Sequence, residues 1–221
     1  MEKKKIIVFG GCFNPPLNSH FSLAEQIVSE YEDIEKIIFV PVNSKYEKID
    51  LIGNEDRYQM LKRVCDKNKM FEVSRIEIES KRPLYTVETL ERLQKEYIGH
   101  EIAFATGSDN LKTLSAWKKA DELVKNFKIF VLERDKDNVD EIIENDEFLR
   151  KNKKSFIKAK KSIRSNMSST FVRDKISRGK SIRYLTPEEV ISYIEEHNLY
   201  KKWGDKYVEK RKTFLRNGKC N

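Results

Sequence analysis

Cysteine is scarce in this chain: Cys12, Cys65 and Cys220 are three among 221 residues. Odd in number and without paired or metal-like spacing, they exclude a disulfide framework and fit a reducing compartment. Histidine is as scarce, with His20, His100 and His197, and no His/Cys cluster suggests zinc. No apolar run approaches the roughly 18 residues of a membrane helix, which excludes an α-helical span. The apolar run at 6–9 is too short for a signal-peptide core and passes straight into a Gly-Gly turn. The expectation is a soluble, non-exported, cytoplasmic protein that does not engage a membrane.

Aromatic residues and charge are plentiful. Twelve Phe and nine Tyr argue against a disordered chain. The length allows one large domain, or a domain with a small extension, whose core needs no disulfide or metal staple. The 44 basic residues exceed the 36 acidic ones by eight. Much of the excess lies in residues 150–164 and in the tail beyond 203. Such stretches read as a nucleic-acid surface, as a solvated face, or as attraction for a small phosphorylated substrate. No helix-turn-helix, zinc-finger or RNA-recognition signature accompanies them, which favours the latter two.

Strand and helix signals alternate along the chain. Apolar, β-rich runs predict strands at 5–9 (KIIVF), 36–42 (KIIFVPV), 101–106 (EIAFAT) and 128–132 (KIFVL). A last short strand is predicted at 155–160, and 70–78 is predicted to be extended. Helical spacing covers 19–31, 56–66, 86–97, 168–177 and 187–197, with Thr86 as an N-cap and Pro187 at a first helical position. This order predicts an α/β fold: a doubly wound parallel sheet with helices on both faces. Ligands of such sheets sit beyond the carboxyl ends of the strands, at a switch in strand order. The loops to inspect are those after Phe9, Val40, Thr106 and Lys160.

Three of these loops carry chemistry. Gly10-Gly11-Cys12-Phe13-Asn14-Pro15-Pro16-Leu17-Asn18-Ser19-His20 joins the first strand to the first helix. Glycines let a backbone approach a phosphate, and helix N-terminal amides attract an anion. His20, at an exposed loop end, can face that anion. The alternative is an ordinary strand-to-helix turn; the spacing is neither a dinucleotide fingerprint nor a P-loop. Ser168-Ser169-Thr170-Phe171-Val172-Arg173 offers a second cradle, with Ser168 or Ser169 as cap and Arg173 one turn in, or a plain capped helix. In Thr106-Gly107-Ser108-Asp109-Asn110, Asp109 can accept from ribose hydroxyls or simply form a turn. Trp117 can stack on a flat ring or pack at a helix start. Together these describe a nucleotide site. No paired carboxylates, Ser-His-Asp or Cys-His arrangement suggests covalent catalysis.

The first loop, GSDNL and SSTFVR together resemble the nucleotidyltransferase superfamily. The stretches FATGSDNLKTLSAW, LYTVETL and SSTFVRDKISRGKSIRYLTPEEVISYIEEHNLY resemble the nicotinate/nicotinamide mononucleotide adenylyltransferase family more closely, over about residues 5–200. The resemblance implies a Rossmann-like sheet in a single nucleotidyltransferase domain (1–203), with a small helical C-terminal part (about 168–203) and a basic tail (204–221). It implies transfer of AMP from ATP to nicotinate or nicotinamide mononucleotide with release of pyrophosphate, in NAD biosynthesis, aided by Mg²⁺; self-association is left open. His20 and Arg173 would be catalytic. Gly10, Gly11, Cys12, Phe13, Gly107, Asp109, Ser168 and Ser169 would bind ATP. Asn14, Lys45, Lys48, Tyr85, Thr86 and Trp117 would bind the mononucleotide. No protein ligand to a metal is implied. One departure stands out: the superfamily's first-loop H-x-G-H reads Leu17-Asn18-Ser19-His20 here, and a leucine cannot donate to phosphate. Asn14, Asn18 and PVNSKYEK look instead like the eukaryotic form of the enzyme. Sister enzymes, pantetheine-phosphate adenylyltransferases and cytidylyltransferases, share the first loop but end differently. A nucleotide-binding regulatory protein is the alternative of another class.

Overall fold

The computed structural model describes residues 3–45, 51–134, 136–160, 165 and 167–201. Six strands pair among them: β1 (Lys5–Gly11), β2 (Ile34–Pro41), β3 (Phe71–Val73), β4 (Glu101–Gly107), β5 (Lys128–Leu132) and β6 (Phe156–Lys158). Their order is β3-β2-β1-β4-β5-β6, and every pairing is parallel. The chain steps outward from β1 to β3, then returns to lay β4 beside β1. The order reverses between those two strands, so the crevice at their carboxyl ends is where a ligand fits.

The helices are α1 (Asn18–Glu30), α2 (Asn54–Cys65), α3 (Thr86–Glu96), α4 (Ser108–Leu111), α5 (Ala120–Asn126), α6 (Val139–Asn145), α7 (Glu147–Lys151), α8 (Ser169–Ser177) and α9 (Glu188–Glu196). β1 shows why the strands read as continuous apolar runs. Ile6 and Val8 enter a core with Val87, Leu90 and Leu123 of α3 and α5, while Ile7 and Phe9 enter one with Phe21, Ala24 and Ile27 of α1. Both faces are covered, so no position alternates to water. A third cluster joins α2, α8 and α9 through Met60, Val172, Val190 and Ile194. No described helix is long and apolar enough to cross a membrane.

Several local expectations shift. Residues 74–80 are not extended: after β3 the chain turns, with the Glu79 N–H donating to Arg75 O and the Ser80 N–H to Glu77 O, both at 3.0 Å. Thr86 is the first helical residue and Tyr85 occupies the cap, where the Glu88 carboxylate accepts the Tyr85 N–H at 2.9 Å. Pro187 is likewise the cap of α9 and not its first helical residue. Ser168, not Ser169, caps α8, accepting the Phe171 N–H at 3.3 Å. Helices α4 to α7 carry no sequence signal, because pieces of four to seven residues are too short for a 3.6-residue period to emerge. In the basic stretch, Lys151 pairs with Glu147 and Lys158 with Glu133 and Asp140. Part of that charge is thus compensated in place. Lys161, Arg164 and the tail lie outside the described residues.

Candidate active site

β1 ends in Gly10 and Gly11, and the chain doubles back over them. A Cβ on Gly11 would lie 3.1 Å from the Phe13 ring. Phe13, buried at φ 45°, packs edge-on against Phe39 and against His20, the latter at 5.1 Å between centroids. His20 is therefore half-buried between aromatic rings, not exposed at a loop end. Its Nδ1 accepts the Leu17 N–H at 2.9 Å, which assigns the ring proton to Nε2. Burial, with the positive charge of Arg134 adding to it, lowers its pKa to about 4. His20 is a neutral imidazole at pH 7, offering one N–H to the crevice. Leu17 does not occupy the place of a phosphate donor. Its side chain is buried in the cluster that holds Met60, Val172 and Tyr193 and lines neither of the cavities described below.

The crevice holds a first cavity between the β1 loop and the end of β4, lined by Gly10, Gly11, Phe13, His20, Asp109 and Arg134 among others. Asp109 pairs with Arg134 through Oδ2 and Nη1 at 2.9 Å. Arg134 Nη2 also donates to Met167 O at 3.3 Å, and the Arg134 N–H to Ser108 Oγ at 3.0 Å. Gly107 lies directly beneath this pair. A Cβ there would collide with Asp109 Oδ1 and stand 2.8 Å from Arg134 Cδ. Ser169 reaches the same cavity and donates through Oγ to Pro15 O at 2.8 Å.

A second cavity opens on the other side of the β1 loop. Gly10, Gly11, Cys12 and Asn110 line both, so the two chambers share a wall. The second is lined further by Trp117, Phe104, Leu84, Thr86, Thr89 and Glu77. Trp117 stands edge-on to Phe104, and its Nε1 donates to Thr113 Oγ1 at 3.3 Å. Glu77 is buried, and Thr89 Oγ1 donates to its Oε1 at 2.7 Å. Burial raises the Glu77 carboxyl to about pH 7, against the Thr89 hydrogen bond and the charge of Arg57.

The other expected site residues divide. Thr86 and Trp117 line the second cavity. Arg173 lines neither cavity: Nη1 donates to Asn14 O at 2.6 Å and Nη2 to Thr170 Oγ1 at 3.0 Å. Asn14 is turned away from the second cavity, its Oδ1 accepting from Tyr200 Oη at 2.8 Å in the C-terminal helical part. Lys45 reaches over the surface to Lys81 O at 3.3 Å, and Tyr85 is 42% exposed; neither lines either of these two cavities. Ser168 is spent on the α8 cap, and Lys48 lies outside the described residues. Arg134, Asn110, Glu77 and the buried Arg57 beneath the loop escaped sequence reasoning. For Arg134 a signal existed, since it follows the strand at 128–132 as Asp109 follows the one before it.

The acid limb of stability follows from His20. The free imidazole titrates at 6.5 and the folded one at about 4. Between these values the unfolded chain binds a proton that the folded chain refuses, so stability must fall as pH drops from 6.5 towards 4. Glu77 acts in the opposite sense, holding a proton in the folded state up to about pH 7 that the unfolded chain releases near 4.5. Urea unfolding at stepped pH separates the two. The stability of wild type relative to His20→Gln should decline below pH 6.5, and a constant difference would show that His20 titrates normally.

Residues 8–175 match the cytidylyltransferase-like family model. Proteins named as probable nicotinate-nucleotide adenylyltransferases match nearly end to end. That of Desulfitobacterium hafniense is 34% identical over 203 residues, covering 90% of this chain and 96% of the relative. That of Caldicellulosiruptor bescii is 33% identical over 199 residues, covering 90% of this chain and all of the relative. The fold matches that of Plasmodium falciparum nicotinic acid mononucleotide adenylyltransferase complexed with NaAD, with a TM-score of 0.71 at 20% identity over 90% of this chain and 98% of that one. By sequence over nine-tenths of its length, the chain belongs to the nicotinate-nucleotide adenylyltransferase family, within the cytidylyltransferase-like group.

Proposed function

We propose that the chain transfers AMP from ATP to a pyridine mononucleotide, nicotinate mononucleotide foremost, and releases pyrophosphate. One observation carries this reading: two cavities, one beside an Asp-Arg pair and a neutral histidine, the other walled by tryptophan, share the Gly10-Gly11-Cys12 backbone. Two ligands seated in them meet at that wall. A phosphate oxygen of the mononucleotide attacks the α-phosphorus of ATP there. A new P–O bond forms, the α–β bridge breaks, and pyrophosphate carries away the electron pair. No nucleophile from the protein is needed; alignment and charge stabilisation suffice.

The roles follow from position. His20 donates its Nε2–H to an α-phosphate oxygen without giving up the proton. Gly10, Gly11, Cys12 and Phe13 shape the phosphate wall. Gly107 leaves room for the Asp109–Arg134 pair, and Asp109, oriented by Arg134, accepts from the ribose. Ser169 and the N-terminal amides of α8, capped by Ser168, face the outer phosphates. Arg173 acts as a positioning residue through the Asn14 carbonyl. Trp117 and Thr86 receive the pyridine ring and its substituent.

Mg²⁺ fits this site as an ion carried by the nucleotide. Among the described residues no group of three or more His, Cys, Asp or Glu side chains could cage a metal, and Mg²⁺ at triphosphates is bound largely by phosphate oxygens and water. When bound it neutralises charge on the departing pyrophosphate.

The test is pyrophosphate release with ATP and Mg²⁺, offering each pyridine mononucleotide separately, and phosphopantetheine or CTP chemistry as controls. Release with a pyridine mononucleotide is expected. Release only with a control substrate would reassign the enzyme to a sister activity, and ATP binding without release would make it a regulatory nucleotide binder.

A further inference from the structure

The second cavity contains opposed electrostatic features. The N-terminus of α3 opens at Thr86, where first-turn helix amides and the dipole favour an anion. Among the described residues, Glu77 is the one carboxyl that lines the cavity, and no described lysine or arginine lines it. The Glu77 backbone carbonyl accepts from Asn43 Nδ2 at 3.1 Å, which holds the turn at 76–80 against the β2 loop and aims the side chain inward. Thr89 Oγ1 holds one carboxyl oxygen at 2.7 Å; no other hydrogen bond reaches the carboxyl among the described residues.

The charged and titratable neighbours are few. Arg57 of α2 lies behind Glu77 but spends its donors on Ile52 O, Cys12 O, Val42 O and Asn54 Oδ1. Cys12 lines the same cavity from the β1 loop. Glu88 of α3 is paired outward with Arg82. Among the described residues, the charge of this chamber therefore turns on Glu77. An ionised Glu77 repels a carboxylate on the pyridine ring and accepts from a carboxamide NH₂. A protonated Glu77 donates to a carboxylate and lets the α3 amides act on it.

We propose that Glu77 is a specificity-determining residue of the pyridine pocket, admitting the nicotinate carboxylate when its own carboxyl is protonated and the nicotinamide amide when it is ionised. The inference rests on the adenylyl-transfer reading above. Burial without an ion-pair partner places the exchange near neutral pH, at about 7. The family preference for the acid or the amide then becomes, in this chain, a function of pH.

The experiment is the ratio of kcat/KM for nicotinate mononucleotide over nicotinamide mononucleotide, measured from pH 6 to pH 8. The phosphate of both substrates titrates alike and cancels in the ratio. In wild type the ratio should fall by about tenfold or more across that range, as expected of a like charge formed beside the carboxylate. In Glu77→Gln, folded by its thermal transition, the ratio should be flat. In Thr89→Val the midpoint should move to higher pH, because a hydrogen bond favouring the ionised form is gone; a purely structural role for Glu77 would move no midpoint. A flat wild-type ratio, or an unchanged slope in Glu77→Gln, overturns the proposal while leaving adenylyl transfer standing. No turnover with either mononucleotide overturns both.

Discussion

Replacing His20 by alanine is expected to lower kcat for pyrophosphate release by about 10²-fold or more, the usual loss when a preorganised donor to developing phosphate charge is removed. The reason is positional. The ring is fixed by the Leu17 N–H on Nδ1 and by the edges of Phe9 and Phe13 at 6.3 and 5.1 Å, so Nε2–H is aimed before substrate arrives. Being neutral, it donates without first losing a proton to the phosphate. KM should change less than kcat, since the bond strengthens as charge grows on the α-phosphate. The variant also loses the contact at the start of α1, which is comparable to losing a helix cap at about 1 kcal/mol. It should therefore remain folded, and an unfolding curve beside the kinetics establishes this. Partial recovery in His20→Gln, which returns an N–H donor, would separate donation from packing. Unchanged kcat in folded His20→Ala would remove His20 from the mechanism.

Arg57→Leu is expected to destabilise the fold by about 3–5 kcal/mol or more, because several acceptors lose their buried donor at about 1–3 kcal/mol each. Arg57 is fully buried, and its guanidinium ties three segments together. It donates to Cys12 O at 3.1 Å, to Val42 O at 2.6 Å and to Ile52 O at 3.2 Å, with Asn54 Oδ1 at 2.7 Å as a fourth acceptor. Leucine fills much of the volume but leaves those carbonyls unpaired, each costing about 1–3 kcal/mol. Against a total stability on the order of 5–15 kcal/mol, the urea midpoint should fall sharply. Arg57→Lys should lie between, since an ammonium cannot reproduce the planar fork. The loss should also reach the site, because Cys12 belongs to the wall shared by both cavities. A variant as stable as wild type would show that the carbonyls find water or new partners.

How much of this was legible beforehand depended on range along the chain. The four apolar runs became β1, β2, β4 and β5, because a strand buried on both faces leaves an unbroken apolar signature. The crevice followed from alternation and from Gly10-Gly11, GSDN and the serine cap at 168. Of the residues expected there, His20, Gly107, Asp109 and Ser169 line the first cavity, and Thr86 and Trp117 the second. The expected residues that line neither cavity share a cause too. Asn14, Lys45 and Tyr85 sit in correct loops, but which way each side chain turns depends on distant partners: Tyr200 for Asn14, Lys81 for Lys45, and the Arg82–Glu88 pair beside Tyr85.

The amino-acid sequence by itself thus determined the parallel sheet, the place of the crevice and the residue types at its rim, because periodicity, glycine turns and helix caps act over a few neighbouring positions. Only the tertiary structure decided what faces what. It buried Leu17 among C-terminal helices, turned Arg173 onto a backbone carbonyl, joined Arg134 to Asp109 across Gly107, and set Glu77 in the second cavity with no ion-pair partner among the described residues. Those outcomes arise from packing between segments far apart in the chain, where burial and long-range hydrogen bonds outweigh any local preference.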